Sequence, residues 1–246
     1  MSNEVAQLIK SHRSIRKYNN KPIPDEVLND IITAAQWAPT SNNFQCYSII
    51  VIKDVEAKKK VSGLCKGQLS IQTCPVFLVF CIDYFRLNLA CEKNGISFDI
   101  SQLDYLIVGS VDTTLAASNA FLAAKSYGLG GVMIGAVRKN SEQLAELLKL
   151  PHHVIPLVGL ALGYPDEDPQ QKPRIPQRGV AHHEVYHIDN AISSLEEYEG
   201  ITEDYYSRRT NVERPDGWSK IMANKFIDQK RPDIKDFILS RGLNVK

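Results

Sequence analysis

The sequence lacks the marks of a cross-linked protein. Its five cysteines are an odd number, all lie within the first 91 residues, and no two form a Cys-x-x-Cys pair. No disulfide framework is implied, and we expect reduced thiols that are mostly buried. A redox or regulatory role for one cysteine is the alternative.

Long apolar runs and an excess of one charge are also missing. The longest apolar run, Cys74–Ile82, contains Pro75 and is far shorter than the ~20 residues of a membrane helix. The N-terminal segment has no apolar core of a secretory signal. With 29 Lys and Arg against 28 Asp and Glu, no global field would attract nucleic acid or an anionic membrane. We expect a cytoplasmic protein whose partners are small molecules.

Hydrophobic periodicity predicts an α+β domain. Helical and extended segments mix without regular alternation, which argues against a doubly wound fold. The apolar runs suit strands covered on both faces, so we expect a central mixed sheet flanked by helices. Strands are predicted at Tyr47–Ile52, Val76–Ile82, 132–135 and Val154–Leu162. Helices are predicted at 3–12, from Asp25 to the Ala38-Pro39 pair, and at Leu103–Tyr127, Ser141–Leu150, Ser193–Arg209, Trp218–Asp228 and Asp233–Arg241.

The C-terminal part is more highly charged than the rest. Beyond the Pro-rich loop Pro165–Pro176 it has too few clustered apolar residues for a core of its own. We therefore expect one domain over residues 1–246, in which residues 177–246 are an extension that wraps the core or a partner subunit.

Two basic clusters predict an anion site. The segment Ser11–Lys17 follows the first helix, and in an extended chain it groups His12, Ser14 and Arg16 on one side. Arginine offers paired planar donors to a phosphate, and serine adds a neutral donor. The second cluster, Lys172–Arg174, lies in the Pro-rich loop. The alternative for the first cluster is a solvated helix end whose cations complement the helix dipole.

Five segments, taken together and in order, carry a resemblance to a known family. They are HRSIRKY from His12, Ala38–Ser48, Gly128–Gly135, Leu148–Pro165 and Lys172–Pro176. The chain resembles the nitroreductase family over nearly its whole length, and most of all the NADPH-preferring branch of flavin reductases and oxygen-insensitive nitroreductases. The resemblance implies an α/β sandwich that binds FMN at a homodimer interface.

The resemblance implies contacts to FMN from both basic clusters. Arg16 would face the pyrimidine edge of the flavin, where negative charge collects on reduction, and a fixed cation there stabilises the reduced state. The FMN phosphate would be held by the second cluster with Arg13 or His12. The implied residues of the two clusters are His12, Arg13, Ser14, Arg16, Lys172 and Arg174.

The same resemblance adds contacts from three further segments. Thr40, Ser41 and Asn43 would come from the other subunit, and Gln68 would reach the ribityl chain. Ile134 and Gly135 would pass under the isoalloxazine, with the Gly135 N–H donating to flavin N5; glycine suits this role because the backbone must come close. Met133 is a further implied contact to FMN.

A motif in the C-terminal part of the chain indicates how the nucleotide donor is bound. In the NADPH-preferring branch, an arginine three residues after the second tyrosine is the candidate for binding the 2′-phosphate. Counting from Tyr206 gives Arg209, with its neighbour Arg208 as the alternative.

The reaction implied by the resemblance is a ping-pong, two-electron reduction. NAD(P)H reduces FMN and leaves, and a nitroaromatic, a quinone or free flavin then takes the electrons at the same site. One alternative is a dedicated NADPH:FMN reductase or a disulfide-type reductase. An alternative of another class is a non-catalytic flavin-binding sensor.

Two other features receive plainer interpretations. His183–His187 fits the His-Glu-x-x-His pattern of zinc proteases, but that pattern needs a regular helix, and the segment follows a Pro- and Gly-rich loop. We interpret it as a polar loop or the entry to a strand, and we expect no metal. Trp37 is interpreted as core packing at a helix end rather than as a stack on the flavin.

Overall fold

The computed structural model describes residues 3–208, 216–228 and 234–243. The chain divides into two compact units, one comprising Met1–Pro169 with Pro232–Lys246 and the other comprising Gln170–Arg231.

The first unit is built on a four-stranded antiparallel sheet. The strands are β1 (Tyr47–Ile52), β2 (Val76–Asp83), β3 (Gly130–Ile134) and β4 (Val154–Gly163), in the order β1-β2-β4-β3. Every neighbouring pair is antiparallel, which differs from the mixed sheet that the sequence predicted. Within the described residues, parallel pairing outside these strands is limited to one bridge between Ser14 and Gly131. The prediction failed because a continuous apolar strand is compatible with parallel or antiparallel pairing. The connections between the strands determine which of the two occurs.

The described part of the chain contains ten α-helices. The first unit has α1 (Glu4–Lys10), α2 (Asp25–Gln36), α3 (Val55–Leu64), α4 (Leu69–Thr73), α5 (Phe85–Lys93), α6 (Leu103–Ser126), α7 (Ser141–Leu147) and α10 (Lys235–Ser240), and the second has α8 (Ile188–Ser207) and α9 (Trp218–Asp228). The predicted strands and the helices α1, α2, α6 and α7 are confirmed to within a few residues. The short helices α3, α4 and α5 were not predicted.

Alternate side chains of β2 enter two separate cores. Val76, Leu78 and Phe80 pack with α2 and α6 on one face of the sheet. The residues between them pack with α3, α4 and α7 on the other face. All of β2 is buried, as expected for a strand covered on both faces.

Helix α6 is buried on one face only. Its small residues Ala116, Ala117, Ala120 and Ala124 are buried in the core that it shares with α2 and the sheet. Four large apolar residues on its other side are 37 to 54 % exposed and form the α6 stripe, namely Leu103, Ile107, Val111 and Leu115. By length and composition alone α6 could cross a membrane, but the core helix of a globular domain passes the same test.

The last described segment returns to the first unit. Ile238 of α10 and Leu243 are buried in a third core with Tyr84. The Arg241 guanidinium donates to the carbonyl oxygens of Leu150 and Pro151 at 3.2 and 3.1 Å.

Trp37 is 83 % exposed, so its interpretation as core packing was wrong. Leu28, Ile31 and Ala35 form the buried face of α2. Trp37 follows Ala35 by two residues, which is about 200° around a helix and therefore turns it away from the core.

Candidate functional site

The first basic cluster lies along the outer edge of β3. Ser14 bridges Gly131 in parallel, and the N–H of the next residue donates to the Gly131 carbonyl at 2.9 Å. The other edge of β3 is occupied by β4, so Ser14 and Ile15 lie on the free side of the sheet, and the chain then turns to pair Tyr18 with Pro165. His12 packs edge-to-face on Phe121 of α6, with 5.5 Å between ring centroids.

The backbone N–H groups of Met133 and Gly135 point toward the same edge. The Gly131 carbonyl points away from β4, because it accepts from Ile15 on the outer side. Backbone groups two residues apart in a strand point to the same side. The N–H groups of Met133 and of Gly135, the residue after β3, therefore face the same outer edge that Ser14 bridges at Gly131. Met133 is 38 % exposed, whereas Ile134 is buried.

Two glycines let the basic segment cross the sheet. Gly130 and Gly163 are partners in the β3–β4 ladder. A Cβ on Gly130 would lie 2.6 Å from Ile15 Cγ1, and one on Gly163 would lie 2.7 Å from Tyr18 Cδ1. The Tyr18 hydroxyl donates to the Ile15 carbonyl at 2.7 Å, and burial raises the pKa of this tyrosine, so it stays a neutral donor.

Arg16 is exposed just beyond the Ser14 bridge. After the Ser14 bridge the chain turns away from β3, and Tyr18 pairs with Pro165 in the segment that follows β4. One guanidinium nitrogen, Nη1, lies 3.4 Å from the Ser14 carbonyl. The backbone N–H of Arg16 donates to Glu167 Oε1 at 2.5 Å, which fixes the residue while its side chain faces solvent.

Acidic residues after β4 also contact the cluster. Glu167 accepts from the N–H of Lys17 at 3.1 Å, and the Arg13 guanidinium pairs with Asp168. Asp168 is 85 % exposed, so this ion pair is screened by solvent and contributes little to stability. Arg13 nevertheless has a carboxylate partner within its own chain.

Thr40, Ser41 and Asn43 lie in the loop between α2 and β1. Ser41–Asn43 form one 3-10 turn, and three residues of the loop have left-handed φ values, namely Asn42 at 47°, Asn43 at 57° and Gln45 at 53°. Thr40 and Ser41 are half-buried and Asn43 is exposed.

Two charged residues that contact this loop were missed in the sequence. Asp112 is 1 % exposed in the middle of α6, and Arg86 lies in the first turn of α5. A signal for Asp112 was present, because a carboxylate inside an otherwise apolar helix needs a buried partner. Arg86 gave no such signal, since α5 itself was not predicted.

Gln68 lies at the start of α4 in the first unit. It follows two left-handed residues, Lys66 and Gly67, and its side chain is exposed. The Ser62 hydroxyl donates to its carbonyl at 2.9 Å, which holds the backbone of this turn.

The second basic cluster belongs to the second unit. Arg174 Nη1 lies 3.3 Å from the Lys172 carbonyl, and both side chains are exposed. Tyr198 of α8 donates to the Pro173 carbonyl at 3.0 Å and fixes the loop. A cavity of about 530 Å³ lies beside it, lined mainly by Pro173, Arg174, Ile175, Val180, Tyr198 and Trp218.

Of the two candidate arginines for the NADPH 2′-phosphate, one is described by the structure. Arg208 ends α8 and pairs with Asp204 at 2.8 Å, whereas Arg209 lies outside the described residues.

The His-Glu-x-x-His segment, His183–His187, precedes α8, and Glu184 has a left-handed φ of 62°. The segment is therefore not a helix, and its interpretation as a polar loop is confirmed.

An α+β fold with a basic segment at the edge of its sheet is typical of a known family of proteins. The sequence pattern of the nitroreductase family matches residues 9–164, and that of the C-terminal domain of the same family matches residues 172–246. The chain belongs to the nitroreductase family.

Relatives of known sequence and structure align over almost the full length. The chain is 40 % identical to FMN reductase [NAD(P)H] of Bacillus subtilis, with 99 % of both chains covered. It is 37 % identical to an oxygen-insensitive NADPH nitroreductase of Salmonella typhimurium, with 96 % of both covered. The structure of the hypothetical oxidoreductase YcnD from Bacillus subtilis superposes with a TM-score of 0.96 at 40 % identity, covering 100 % of both chains. NADPH:FMN oxidoreductase from Vibrio harveyi, complexed with NAD+, superposes with a TM-score of 0.85 at 34 % identity, covering 99 % of this chain and 100 % of that one.

Proposed function

We propose that the chain is an FMN-dependent NAD(P)H oxidoreductase that delivers two electrons to a small-molecule acceptor, such as a nitroaromatic, a quinone or free flavin. The observation that carries this proposal is the meeting of the basic segment and the outward N–H groups of β3 at one sheet edge. Relatives named FMN reductase, NADPH-flavin oxidoreductase and NADPH nitroreductase support it.

The donor set fits FMN. A flavin mononucleotide has a phosphate dianion at one end and a planar ring at the other, and the edge offers cations together with a glycine whose backbone can be approached closely. FMN held there would supply the chemistry that takes a hydride from NAD(P)H and gives two electrons to an acceptor. In the proposed site Arg16 would stabilise negative charge at the pyrimidine edge, and the Gly135 N–H would donate to the flavin ring. The remaining contacts come from His12, Arg13, Ser14, Gln68, Met133, Ile134, Lys172 and Arg174.

A homodimer completes the proposed site. Thr40, Ser41 and Asn43 would reach the FMN of the partner subunit, and the α6 stripe would be covered by its symmetry mate. Large apolar residues four apart on a helix form a continuous surface, and such surfaces mark contacts between proteins. Residues 177–246 are proposed to extend over the core or the partner, with Arg209 or Arg208 at the NADPH 2′-phosphate. The protein would act in the cytoplasm.

A spectrum and an acceptor panel test the proposal. The purified protein reconstituted with FMN should show flavin absorbance corresponding to about one FMN per subunit. NADPH oxidation should then accelerate with a nitroaromatic or a quinone. Acceleration only by free FMN would indicate a dedicated flavin reductase, and acceleration only by a disulfide would indicate a disulfide-type reductase. Flavin binding without any turnover would indicate the sensor, and failure to bind FMN would overturn the proposal.

A further inference from the structure

The loop Ser41–Cys46 is held through its N–H groups by one buried carboxylate. Asp112 Oδ1 accepts from the N–H of Ser41 at 3.0 Å, and Oδ2 accepts from the N–H of Cys46 at 3.3 Å. One side chain of α6 therefore fixes both ends of the loop. Thr113, the next residue of α6, places its hydroxyl 3.4 Å from the Cys46 carbonyl.

The loop and the start of β1 are held through their carbonyl groups by a guanidinium. Arg86 Nη2 donates to the carbonyls of Gln45 at 2.9 Å and Tyr47 at 2.6 Å. Its other terminal nitrogen, Nη1, donates to Asp83 at 2.9 Å and Ser48 at 3.0 Å. Because arginine is planar, these bonds fix the loop in one orientation relative to α5.

The loop requires such restraint. Three of its residues have left-handed φ values, a region that asparagine and aspartate adopt more readily than most other non-glycine residues. Gln45 is the least suited of the three, and its carbonyl is the one that Arg86 holds. Such a conformation persists only where the surroundings over-determine it, and it is typical of ligand-binding segments.

We propose that Asp112 and Arg86 are positioning residues that hold this loop ready to present Ser41 and Asn43 to the FMN of the partner subunit. The inference rests on the proposed function, because it assumes FMN at a dimer interface. Neither residue needs to touch the cofactor. Their contribution is to remove the cost of ordering the loop when FMN binds.

The first experiment measures FMN affinity by fluorescence quenching in Asp112→Asn. The amide keeps one acceptor oxygen but turns an NH₂ group toward a backbone N–H, so one of the two hydrogen bonds is lost. We expect FMN to bind roughly tenfold more weakly, as for loss of a hydrogen bond to a charged group. Asp104→Asn, the same change in the exposed first turn of α6, is the matched control and should bind FMN like the wild type.

A second variant covers the case in which Asp112→Asn does not fold. Arg86→Gln cannot span the two carbonyl groups, and it should weaken FMN binding in the same direction. If both variants lose thermal stability as apoproteins but bind FMN with wild-type affinity, the residues are merely structural and the inference is wrong.

A heterodimer separates action across the interface from action within one subunit. One subunit carries Asp112→Asn, and the other carries Arg16→Ala, which weakens the basic side of its own site. If the loop serves the partner, one site of the heterodimer has both defects and the other has neither. Titration should then show one wild-type FMN site per dimer, whereas both parent homodimers show none. A heterodimer without a wild-type site would overturn the inference. Absence of FMN binding by the wild type would instead overturn the proposed function.

Discussion

At the scale of single residues, the cysteines are suited to packing rather than to redox chemistry. Cys46, Cys65, Cys74 and Cys81 are free and buried, as the sequence predicted, and Cys91 is partly exposed. Burial raises the pKa of Cys46, Cys65 and Cys74 to about 12, and it raises the pKa of Cys81 as well. The thiolate is the reactive form, so these four side chains stay inert at neutral pH.

Alkylation tests this assignment. With iodoacetamide near pH 8, which is roughly the ordinary thiol pKa, only Cys91 should be modified in the native protein. The four buried thiols should react only after unfolding in urea. Mass spectrometry of tryptic peptides measures the modification, and Cys91→Ser should leave the native protein unlabelled. Early labelling of Cys46, the last residue of the proposed FMN loop, would support a redox role instead.

The two basic clusters should differ in what they contribute to the reaction. Arg16→Ala should weaken FMN binding and also slow flavin reduction, because Arg16 would face charge that develops during reduction. Lys172→Ala should mainly weaken binding, because the charge of a phosphate does not change. Stopped-flow reduction by NADPH at saturating FMN makes the comparison, and equal losses of rate in the two variants would contradict it.

Nucleotide preference is predicted to depend on Arg209. A guanidinium paired with the 2′-phosphate contributes about 1.5 to 3 kcal/mol, a factor of roughly 10 to 150 in binding. Arg209→Ala should raise the KM for NADPH by about that factor and leave NADH nearly unchanged. Arg208→Ala is the control, because Arg208 already pairs with Asp204. If Arg208→Ala alone shifts the preference, the assignment belongs to that residue.

At the scale of elements, the sequence was informative where apolar residues repeat and uninformative where they do not. Strand β2 and helix α6 follow from runs that only a buried strand or a long helix explains. Helix α3 has a charged sequence, VEAKKKVSGL, and is fixed by its Asp54 cap and by packing that no local pattern encodes. Strand direction was missed for the same reason, since the connections determine it.

The residues of the predicted site also divide into those that sequence motifs reveal and those that they do not. Motif order placed Arg16 and Gly135 in one site, and the structure pairs Ser14 with Gly131 of β3, the strand that ends just before Gly135. Asp112 and Arg86 were missed because they act on backbone groups of a distant loop. Their contacts join residues 66 and 71 positions apart for Asp112, and 39 and 41 for Arg86.

The crossing of the basic segment over β3 and β4 is predicted to depend on a glycine. In Gly163→Ala the new Cβ would lie 2.6 Å from Pro75 and 2.7 Å from Tyr18, and neither ring can move freely. Overpacking of this kind costs about 1 to 3 kcal/mol in stability, and displacement of the segment should also weaken FMN binding.

Gly63→Ala is the matched control for Gly163→Ala. Nothing lies within 4 Å of a Cβ at this helical position in α3, so alanine should stabilise by about 0.5 to 1 kcal/mol. Urea unfolding measures both variants. Equal stability of Gly163→Ala and the wild type would show that the crossing tolerates a side chain.

At the scale of the whole molecule, the α6 stripe is an apolar surface that a single subunit leaves exposed. Leu103, Ile107, Val111 and Leu115 follow one another at intervals of four, so they lie on one face of the helix. The same helix carries Asp112, which holds the loop proposed to reach the partner's FMN. A homodimer formed through this stripe would therefore place dimerisation and cofactor binding on one element.

A charge placed in the stripe tests that link. In a two-fold dimer Val111→Glu introduces the change twice, and burial of unpaired carboxylates should cost about 3 kcal/mol or more, a weakening of roughly a hundredfold or greater in association. Val55→Glu is the matched control, because Val55 is also exposed, at 64 % against 51 % for Val111, but lies at the start of α3. Size-exclusion chromatography with light scattering should show a dimer for the control and a monomer for Val111→Glu. If the stripe also supports the cofactor site, the monomer should lose FMN on dilution while the Val55→Glu dimer retains it. A Val111→Glu protein that stays dimeric with a full complement of FMN would place the interface elsewhere on the molecule.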